Sequence, residues 1–261
     1  MKPPREHDLG LEHDLGTLRR RQVLGLFAGA GLVALTACTP DAQPAAGPSA
    51  TPGDVQEIPG ETAGPYPGDG SNGPNVLTES GIVRSDITRS FGSFSGVANG
   101  VPLTVELTIV EADNDQPLPG AAVYLWQCDA EGRYSLYSEG ATTENYLRGV
   151  QAAGSDGKVT FKSIFPAAYP GRWPHIHFEV YASLSEATAA GKISATSQLA
   201  FPEAVCTAVY ATDGYSGSAE NLGRTSLSDD NVFGDDDGVH QLATVTGDAA
   251  QGYTATLVVG V

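Results

Sequence analysis

The sequence predicts an all-β protein, an antiparallel β-sandwich with few short helices. Much of the chain consists of short runs in which apolar and polar residues alternate, the pattern of strands with one buried face. Glycine, proline, asparagine and aspartate separate these runs at turn-like spacing, which favours a sandwich or barrel. The predicted strands cover residues 102–110, 121–126, 158–164, 174–181, 197–201 and 253–259. Helical composition is confined to residues 183–191, with a short helical turn at 203–210.

The N-terminus has the features of an export signal, which we assign to residues 1–37. Three arginines at 19–21 precede an apolar stretch at 23–35, an arrangement typical of the twin-arginine route. That stretch is too short to predict a membrane-spanning helix. Residues 35–38, Leu-Thr-Ala-Cys, resemble a bacterial lipoprotein cleavage box, so we expect a lipid on Cys38 and a location on the outer face of the membrane. A plain secretory signal with a secreted product is the alternative.

Residues 38–59 are predicted to form a disordered tether. They are rich in proline, alanine, glycine, serine and threonine, and such a segment cannot bury enough apolar surface to fold. Residues 60–261 then form one domain that is large enough for its own core. The formal net charge of −17 argues against nucleic-acid binding and against attraction to anionic lipid, so the lipid on Cys38 would be the only membrane contact.

Two local features have more than one interpretation. The run 228–237 holds five aspartates, and we expect a solvated acidic loop there because the ordered ligand spacing of a calcium site is missing. Cys128 and Cys206 either form a disulfide, which export permits, or remain two buried thiols.

A histidine pair is the most informative feature of the predicted strand at 174–181. His175 and His177 are two residues apart, so on a strand both side chains point to one face and can bind one metal ion. Imidazole suits zinc, copper and iron, so the pair alone does not identify the metal. A nucleotide cofactor is not expected, because no glycine-rich loop follows a predicted strand.

Several separated motifs around this pair resemble one enzyme family. They are Gly-Arg-Tyr-Ser at 132–135, Tyr-Leu-Arg-Gly-Val-Gln at 146–151, Phe-Pro-Ala-Ala-Tyr-Pro-Gly-Arg-Trp-Pro-His-Ile-His at 165–177 and Thr-Ser-Gln-Leu-Ala-Phe-Pro at 196–202. In this order they resemble the intradiol ring-cleavage dioxygenases, the family of catechol 1,2-dioxygenase and protocatechuate 3,4-dioxygenase. The resemblance extends from the region of Glu61 to the C-terminus and implies the β-sandwich of that family.

The resemblance implies a single non-haem Fe(III) ion bound by two tyrosines and two histidines. By their position in the motifs, these metal ligands are Tyr134, Tyr169, His175 and His177. Arg172 would stabilise negative charge on the substrate ring, Gln198 would orient the substrate, and Tyr169 would accept a substrate proton on leaving the metal. The segment 61–66 resembles the border of the family's substrate pocket, which adds Pro65 and Tyr66 as substrate-binding residues.

The activity that the resemblance implies is cleavage of a catechol-type ring by O2. The bond between the two oxygen-bearing carbons would break and give a cis,cis-muconate-type dicarboxylate, so the partners would be the small aromatic molecule and O2. The helical linker that dimerises the cytosolic catechol enzymes has no counterpart here, which leaves the oligomeric state open. The sequence also does not identify the ring substituents.

Two other functions are compatible with parts of the sequence. His177, Glu179 and His240 could form the two-histidine, one-carboxylate triad of iron(II) oxygenases, although this leaves the tyrosines unexplained. The domain could instead be a cell-surface β-sandwich that binds a ligand and carries a vestigial metal site.

Overall fold

The computed structural model describes residues 55–261, and in them two four-stranded sheets form a sandwich. The strands are β1 (Pro102–Val110), β2 (Ala122–Trp126), β3 (Arg148–Ala152), β4 (Lys158–Ile164), β5 (His175–Tyr181), β6 (Ile193–Ala200), β7 (Thr244–Asp248) and β8 (Gly252–Gly260). The helices of this part of the chain lie in the connections and are α1 (Leu184–Thr188), α2 (Glu203–Tyr210) and α3 (Ser218–Leu222). The predicted all-β sandwich with few short helices is confirmed.

The first sheet has the strand order β4-β1-β8-β7, and the second has the order β3-β2-β5-β6. Neighbouring strands are antiparallel except for β1 and β8, which run parallel. A parallel pair needs a long connection, and most of the domain lies between these two strands.

Alternate residues of the strands build the core between the sheets. In β1, Leu103, Val105 and Leu107 are buried, whereas the residues between them are partly exposed. Leu125 of β2 and Phe178 of β5 reach the same core from the second sheet. Burial of each such side chain contributes about 1.5–3 kcal/mol, so this alternation is what stabilises the pairing of the two sheets.

The outer face of the second sheet is buried as well. Every residue of β2 and β5 is buried, because segment 63–82 and the loop after β2 cover the face that points away from the core. Tyr124, Trp126 and Tyr181 form a second apolar cluster with this cover. The two histidines of β5 lie on the covered face, so the fold places them beneath the N-terminal segment.

Two strands and one helix are not predicted by the sequence. The residues of β3 are Arg-Gly-Val-Gln-Ala, which lack apolar alternation, yet β2 pairs with this strand along its full length. Strand β7 is an exposed edge that is held by its pairing with β8. Helix α3 has only five residues, too few for a periodic pattern. Strand β6 begins at Ile193, earlier than predicted.

The folded part of the chain begins upstream of residue 60. Ile58, within the predicted tether, is buried, and its N–H donates to the carbonyl oxygen of Gly260 at 2.9 Å. Glu57 forms a parallel bridge with Gly260, so the two ends of the described chain lie side by side. The predicted signal segment 1–37, Cys38 and the tether up to residue 54 lie outside the described residues. Residues 55–261 contain no helix with the length and hydrophobicity of a membrane span.

Cys128 and Cys206 are both buried and both free. The disulfide is therefore wrong, and the alternative of two buried thiols is confirmed. Cys128 follows β2 and lies in the apolar cluster on the outer face, whereas Cys206 lies in α2 and belongs to the sandwich core. Each thiol is thus buried in a different part of the molecule.

Candidate metal centre

Two histidine side chains form one half of the candidate site. Strand β5 pairs with β2 on one side and β6 on the other, so its backbone is held on both edges. The Nε2 atoms of His175 and His177 are 3.1 Å apart. Trp126, opposite His177 on β2, stacks on that imidazole with ring centroids 5.0 Å apart and an interplanar angle of 6°. The sheet therefore directs both Nε2 atoms to one place.

Two tyrosines from loops form the other half. Tyr134 lies in the loop after β2, where its N–H donates to Oγ of Ser138 at 2.9 Å, and Tyr169 precedes β5. The hydroxyl oxygen of Tyr169 lies 3.0 Å from Nε2 of His175, and that of Tyr134 lies 3.5 Å from the same atom. The two hydroxyl oxygens are 3.4 Å apart. The structure thus brings together the side chains of all four predicted metal ligands.

The spacing of these donor atoms fits a single metal ion. Two ligand atoms that lie about 2.1 Å from a metal, at angles between 90° and tetrahedral, are separated by about 3.0–3.4 Å. Three of the separations in the site, 3.0, 3.1 and 3.4 Å, fall in this range, and the fourth, 3.5 Å, lies just above it. Imidazole suits iron, copper and zinc, and two phenol oxygens, once ionised, favour a highly charged cation. The residues present therefore fit a transition-metal ion.

The backbone and a glycine orient the two imidazoles. Nδ1 of His175 lies 2.5 Å from the carbonyl oxygen of Trp173, so Nδ1 carries and donates the proton while Nε2 keeps its lone pair. Nδ1 of His177 is buried and has no hydrogen-bond partner within residues 55–261. Gly64 crosses the same ring at φ +70°, and a Cβ at this position would lie 3.3 Å from Cε1 of His177. A glycine allows both this backbone conformation and this close approach.

Burial favours the uncharged form of all four side chains. It lowers the pKa of both histidines well below the ordinary value, and the positive charge of Arg172 acts in the same direction. Burial also raises the pKa of Tyr169 to about 12 and that of Tyr134 well above its ordinary value. Neutral imidazoles are ready to bind a metal, whereas the phenols would lose their protons only to a nearby cation that offsets the cost of a buried negative charge.

Arg172 lies beside the donor atoms and is held by side chains from two other parts of the chain. Its Nε donates to Oδ2 of Asp230 at 2.9 Å, and its Nη2 donates to Oε1 of Gln198 at 2.6 Å. The guanidinium carbon lies 5.9 Å from the centroid of the Phe233 ring. Two of the predicted site residues, Arg172 and Gln198, are therefore in direct contact.

Gln198 has both ends of its amide engaged. It lies on β6 directly opposite His177 and is fully buried. Its Nε2 donates to the carbonyl oxygen of Thr62 at 3.0 Å, while Oε1 accepts from Arg172. Gln198 thus connects the N-terminal segment to Arg172.

Asp230 is a site residue that no sequence pattern identifies. It lies in the run 228–237, predicted to be a solvated loop, yet it is buried, which corrects that prediction at this position. Its Oδ2 accepts from Nε of Arg172 and from the N–H of Trp173, the latter at 2.6 Å. Its Oδ1 accepts two N–H groups of its own loop at 2.8 and 3.2 Å. The signal that points to Asp230 comes from the structure: Arg172 is buried, and a buried cation needs a carboxylate partner.

A cleft of about 500 Å³ opens above the donor atoms. Pro65 and Tyr66 line it from the N-terminal segment, and Tyr169 and Arg172 line it from the loop before β5. The Tyr66 side chain is partly exposed, and its ring centroid lies 5.1 Å from that of Tyr134. The two residues predicted to border a substrate pocket therefore border the space next to the donor atoms.

Arg148 is a second buried cation, and its role is not evident from the sequence. It donates hydrogen bonds of 2.8–3.0 Å to the carbonyl oxygens of Tyr66, Pro67 and Ser135 and to the hydroxyl groups of Ser135 and Tyr124. These bonds fix the segment that lines the cleft to the loop that carries one tyrosine donor. Arg148 thereby holds two walls of the site together.

The geometry does not support the iron(II) triad. Among residues 55–261, no three His, Cys, Asp or Glu side chains lie together as a metal-binding group. Glu179 shares a face of β5 with His177, but its carboxylate accepts the hydroxyl of Tyr181 at 2.6 Å. His240 lies in the loop before β7. The alternative of a His177, Glu179 and His240 triad is therefore wrong.

Comparison with known sequences adds an independent observation. A family model described as Dioxygenase matches residues 72–203, a range that includes all four metal-ligand candidates. The chain is 34% identical over 103 residues to a 6-chlorohydroxyquinol 1,2-dioxygenase of Cupriavidus pinatubonensis, covering 33% of this chain and 37% of the relative. It is 32% identical over 111 residues to a hydroxyquinol 1,2-dioxygenase of Nocardioides simplex, covering 36% and 37%. The chain thus spans little more than a third of the length of these curated relatives.

Solved structures with the same architecture cover more of the chain. An intradiol ring-cleavage dioxygenase from Tetranychus urticae is 25% identical, with a TM-score of 0.60, over 79% of this chain and 94% of that one. The dioxygenase domain of a dioxygenase and carbohydrate-binding protein fusion from Streptomyces sp. SirexAA-E is also 25% identical, with a TM-score of 0.51, over 79% and 98%. Both agree with the two-sheet sandwich described above.

Proposed function

The chain belongs to the family of intradiol ring-cleavage dioxygenases, and from this premise we propose that it cleaves a catechol-type ring with O2 at a single non-haem Fe(III) ion. Both atoms of O2 would enter the product, a cis,cis-muconate-type dicarboxylate. The observation that carries the proposal is the convergence of two phenol oxygens and two imidazole nitrogens, with neighbouring atoms 3.0–3.5 Å apart, beneath an open cleft.

The iron ligands would be Tyr134, Tyr169, His175 and His177. Phenolate is a hard anionic oxygen donor, so two phenolates favour Fe(III) over Fe(II), and with two neutral imidazoles they leave the centre with one positive charge. A bound Fe(III) ion would supply a Lewis acid for both oxygens of a catechol, and this would make the ring reactive toward O2.

Tyr169 would accept one of the two protons that a catechol loses on chelation. Both tyrosines line the cleft, but Tyr134 is almost fully buried whereas Tyr169 is partly exposed, so Tyr169 is the tyrosine that an incoming ring can displace. Burial raises the pKa of Tyr169 to about 12. Its displaced phenolate would therefore hold the proton on Oη at neutral pH.

Arg172 would stabilise the negative charge that develops on the bound ring. It lines the cleft. Burial acts to lower the pKa of Arg172, but the negative charges of Tyr169 and Asp230 outweigh burial and raise that pKa, so Arg172 stays cationic through the physiological range. A fixed cation in a buried site provides electrostatic stabilisation without reorganisation. Because the amide of Gln198 is engaged by Thr62 and Arg172, we assign Gln198 to holding Arg172 in place.

Catechol and hydroxyquinol are the substrates that we propose first. The curated relatives are named for hydroxyquinol, 6-chlorohydroxyquinol and catechol. A cleft of about 500 Å³ accommodates one substituted aromatic ring. Pro65 and Tyr66 would contact that ring from the N-terminal side.

We also propose that the protein is exported and lipid-anchored at the outer face of the membrane. The arginines at 19–21 and the Leu-Thr-Ala-Cys sequence that ends at Cys38 support this location. Metabolic labelling with a radioactive fatty acid should label the wild-type chain and should not label Cys38→Ser. An unlabelled wild-type chain found in the cytoplasm would contradict export and lipidation.

Oxygen uptake and visible absorption of the Fe(III)-loaded protein test the function. We expect consumption of one O2 per ring cleaved and strong visible absorption from ferric tyrosinate. Tyr134→Phe should remove most of both signals. Tyr137→Phe is the matched control and should keep both signals, since within residues 55–261 its hydroxyl bonds only to the N–H of Gly68 and the carbonyl oxygen of Asn72. Protein that stays colourless and consumes no O2 would support the binding module with a vestigial metal site.

A further inference from the structure

The carboxylate of Asp230 accepts two hydrogen bonds on each of its oxygens. Oδ2 accepts from Nε of Arg172 at 2.9 Å and from the N–H of Trp173 at 2.6 Å. Oδ1 accepts the N–H groups of Val232 and Phe233 at 2.8 and 3.2 Å. Only 3% of the residue is exposed. Four donors and close burial leave this carboxylate a single orientation.

We infer that Asp230 is a positioning residue that fixes the guanidinium of Arg172 beside the metal ligands. Asp230 binds Nε of Arg172 and Gln198 binds Nη2, so two of the three guanidinium nitrogens are anchored from opposite parts of the chain. A planar guanidinium group that is hydrogen-bonded at two of its nitrogens can no longer rotate. The catalytic consequence rests on the proposed function, because the position of Arg172 matters to turnover only when negative charge develops on a bound ring.

The same carboxylate also fixes the backbone that leads into β5. The N–H of Trp173 donates to Asp230, while the carbonyl oxygen of Trp173 accepts from Nδ1 of His175. Both backbone polar groups of Trp173 are therefore engaged, one on each side. The loop at 228–237 thus reaches Arg172 directly and His175 through a single residue.

Asp230→Asn is the variant that tests the inference, because it keeps the shape of the side chain and removes the charge. In the Fe(III)-loaded protein we expect kcat for catechol to fall by about 10- to 100-fold, the usual effect of removing a supporting contact. KM should change by less than about threefold, and bound iron and visible absorption should be retained. Asp237→Asn is the matched control: it is exposed in the same loop, and its φ of 58° suits asparagine. It should leave kcat unchanged.

A double-mutant cycle separates positioning from a merely structural role. If Asp230 acts through Arg172, Asp230→Asn should lower kcat by less than about threefold further in an Arg172→Ala background. An equal loss in both backgrounds would overturn the inference. If Asp230→Asn does not fold, Arg172→Lys tests the same contact by changing Arg172. A lysine ammonium cannot bind both Asp230 and Gln198 as the guanidinium group does. A kcat for Arg172→Lys equal to that of the wild type would also overturn it.

Thermal unfolding gives a readout that does not depend on activity. It is measured on the four proteins of the cycle, which are the wild type, Asp230→Asn, Arg172→Ala and the double variant. The destabilisation by Asp230→Asn should be smaller in the Arg172→Ala background, because the partner is already absent. Inactivity of the wild-type protein toward every catechol would refute the proposed function, and the unfolding cycle would then decide the inference alone. If the effects of Asp230→Asn and Arg172→Ala on the unfolding midpoint are additive, the inference is overturned. If the two effects are coupled, the inference is supported.

Discussion

Replacement of Arg148 by methionine should strongly destabilise the domain. The guanidinium is fully buried and donates to five acceptors, three of them backbone carbonyl oxygens. Methionine keeps much of the apolar stem but leaves all of these acceptors without their donor. At about 1 kcal/mol net for each lost hydrogen bond, the free energy of unfolding should fall by about 5 kcal/mol. Removal of one partner from a buried charged network costs a similar amount, about 3–5 kcal/mol.

Thermal unfolding followed by circular dichroism measures this loss. For a domain of this size, each kcal/mol lowers Tm by about 2–4 °C, so a loss of about 5 kcal/mol in Arg148→Met should lower Tm by about 10–20 °C. Arg224→Met is the control, because the ion pair of Arg224 with Glu220 is exposed and contributes at most about 1 kcal/mol. A Tm loss for Arg148→Met as small as that of Arg224→Met would refute the reasoning. Because Arg148 also holds the carbonyl oxygen of Tyr66, the KM for catechol should rise.

Three further predictions concern single side chains. Tyr169→Phe should retain iron through the three remaining ligands, shift the visible absorption and lower kcat by about 100-fold or more, as loss of a positioned proton acceptor does; an unchanged kcat would exclude this role. Burial raises the pKa of Glu61 from 4.5 to about 8, so the folded state prefers the protonated carboxyl and loses stability as the pH rises through that interval. Urea denaturation across the interval should show that the free energy of unfolding depends less on pH in Glu61→Gln than in the wild type. An equal pH dependence in the two proteins would contradict this. Burial raises the pKa of Cys128 to about 12, so neither Cys128 nor Cys206 should react with a thiol reagent before unfolding, and reductant should leave Tm unchanged.

Strands could be predicted wherever one face of the strand is buried and the other is not. Strands β1 and β4 have the bounds that their alternation predicts. Strand β3 carries Arg148 and Gln151, and its place in the sheet depends on pairing with β2 and on the hydrogen bonds of Arg148. Strand β7 is almost entirely exposed, so no apolar pattern marks it. Pairing between strands distant in the chain cannot be deduced from local hydrophobicity.

The metal-ligand candidates could be predicted because the chemistry restricts residue type and spacing within short motifs. His175 and His177 must share one face of a strand, and the sequence displays this directly. Asp230 could not be predicted, because its run holds four other aspartates and its partner Arg172 lies far away in the sequence. Arg148 could not be predicted for a different reason: most of its acceptors are backbone carbonyl oxygens, which every residue has.

The pairing of Glu57 with Gly260 matters for engineering, because both ends of the described chain leave the sandwich at one corner. Gly260 lies beside Val110 at the end of β1, whereas the connection toward the cleft leaves β4 beside Pro102 at the start of β1. A strand of this length spans about 27 Å. A reporter or an immobilisation handle attached after Gly260 would therefore lie at the opposite end of β1 from the connection that leads to Tyr169. A short linker between these ends would also permit circular permutation, with new termini cut in an exposed turn.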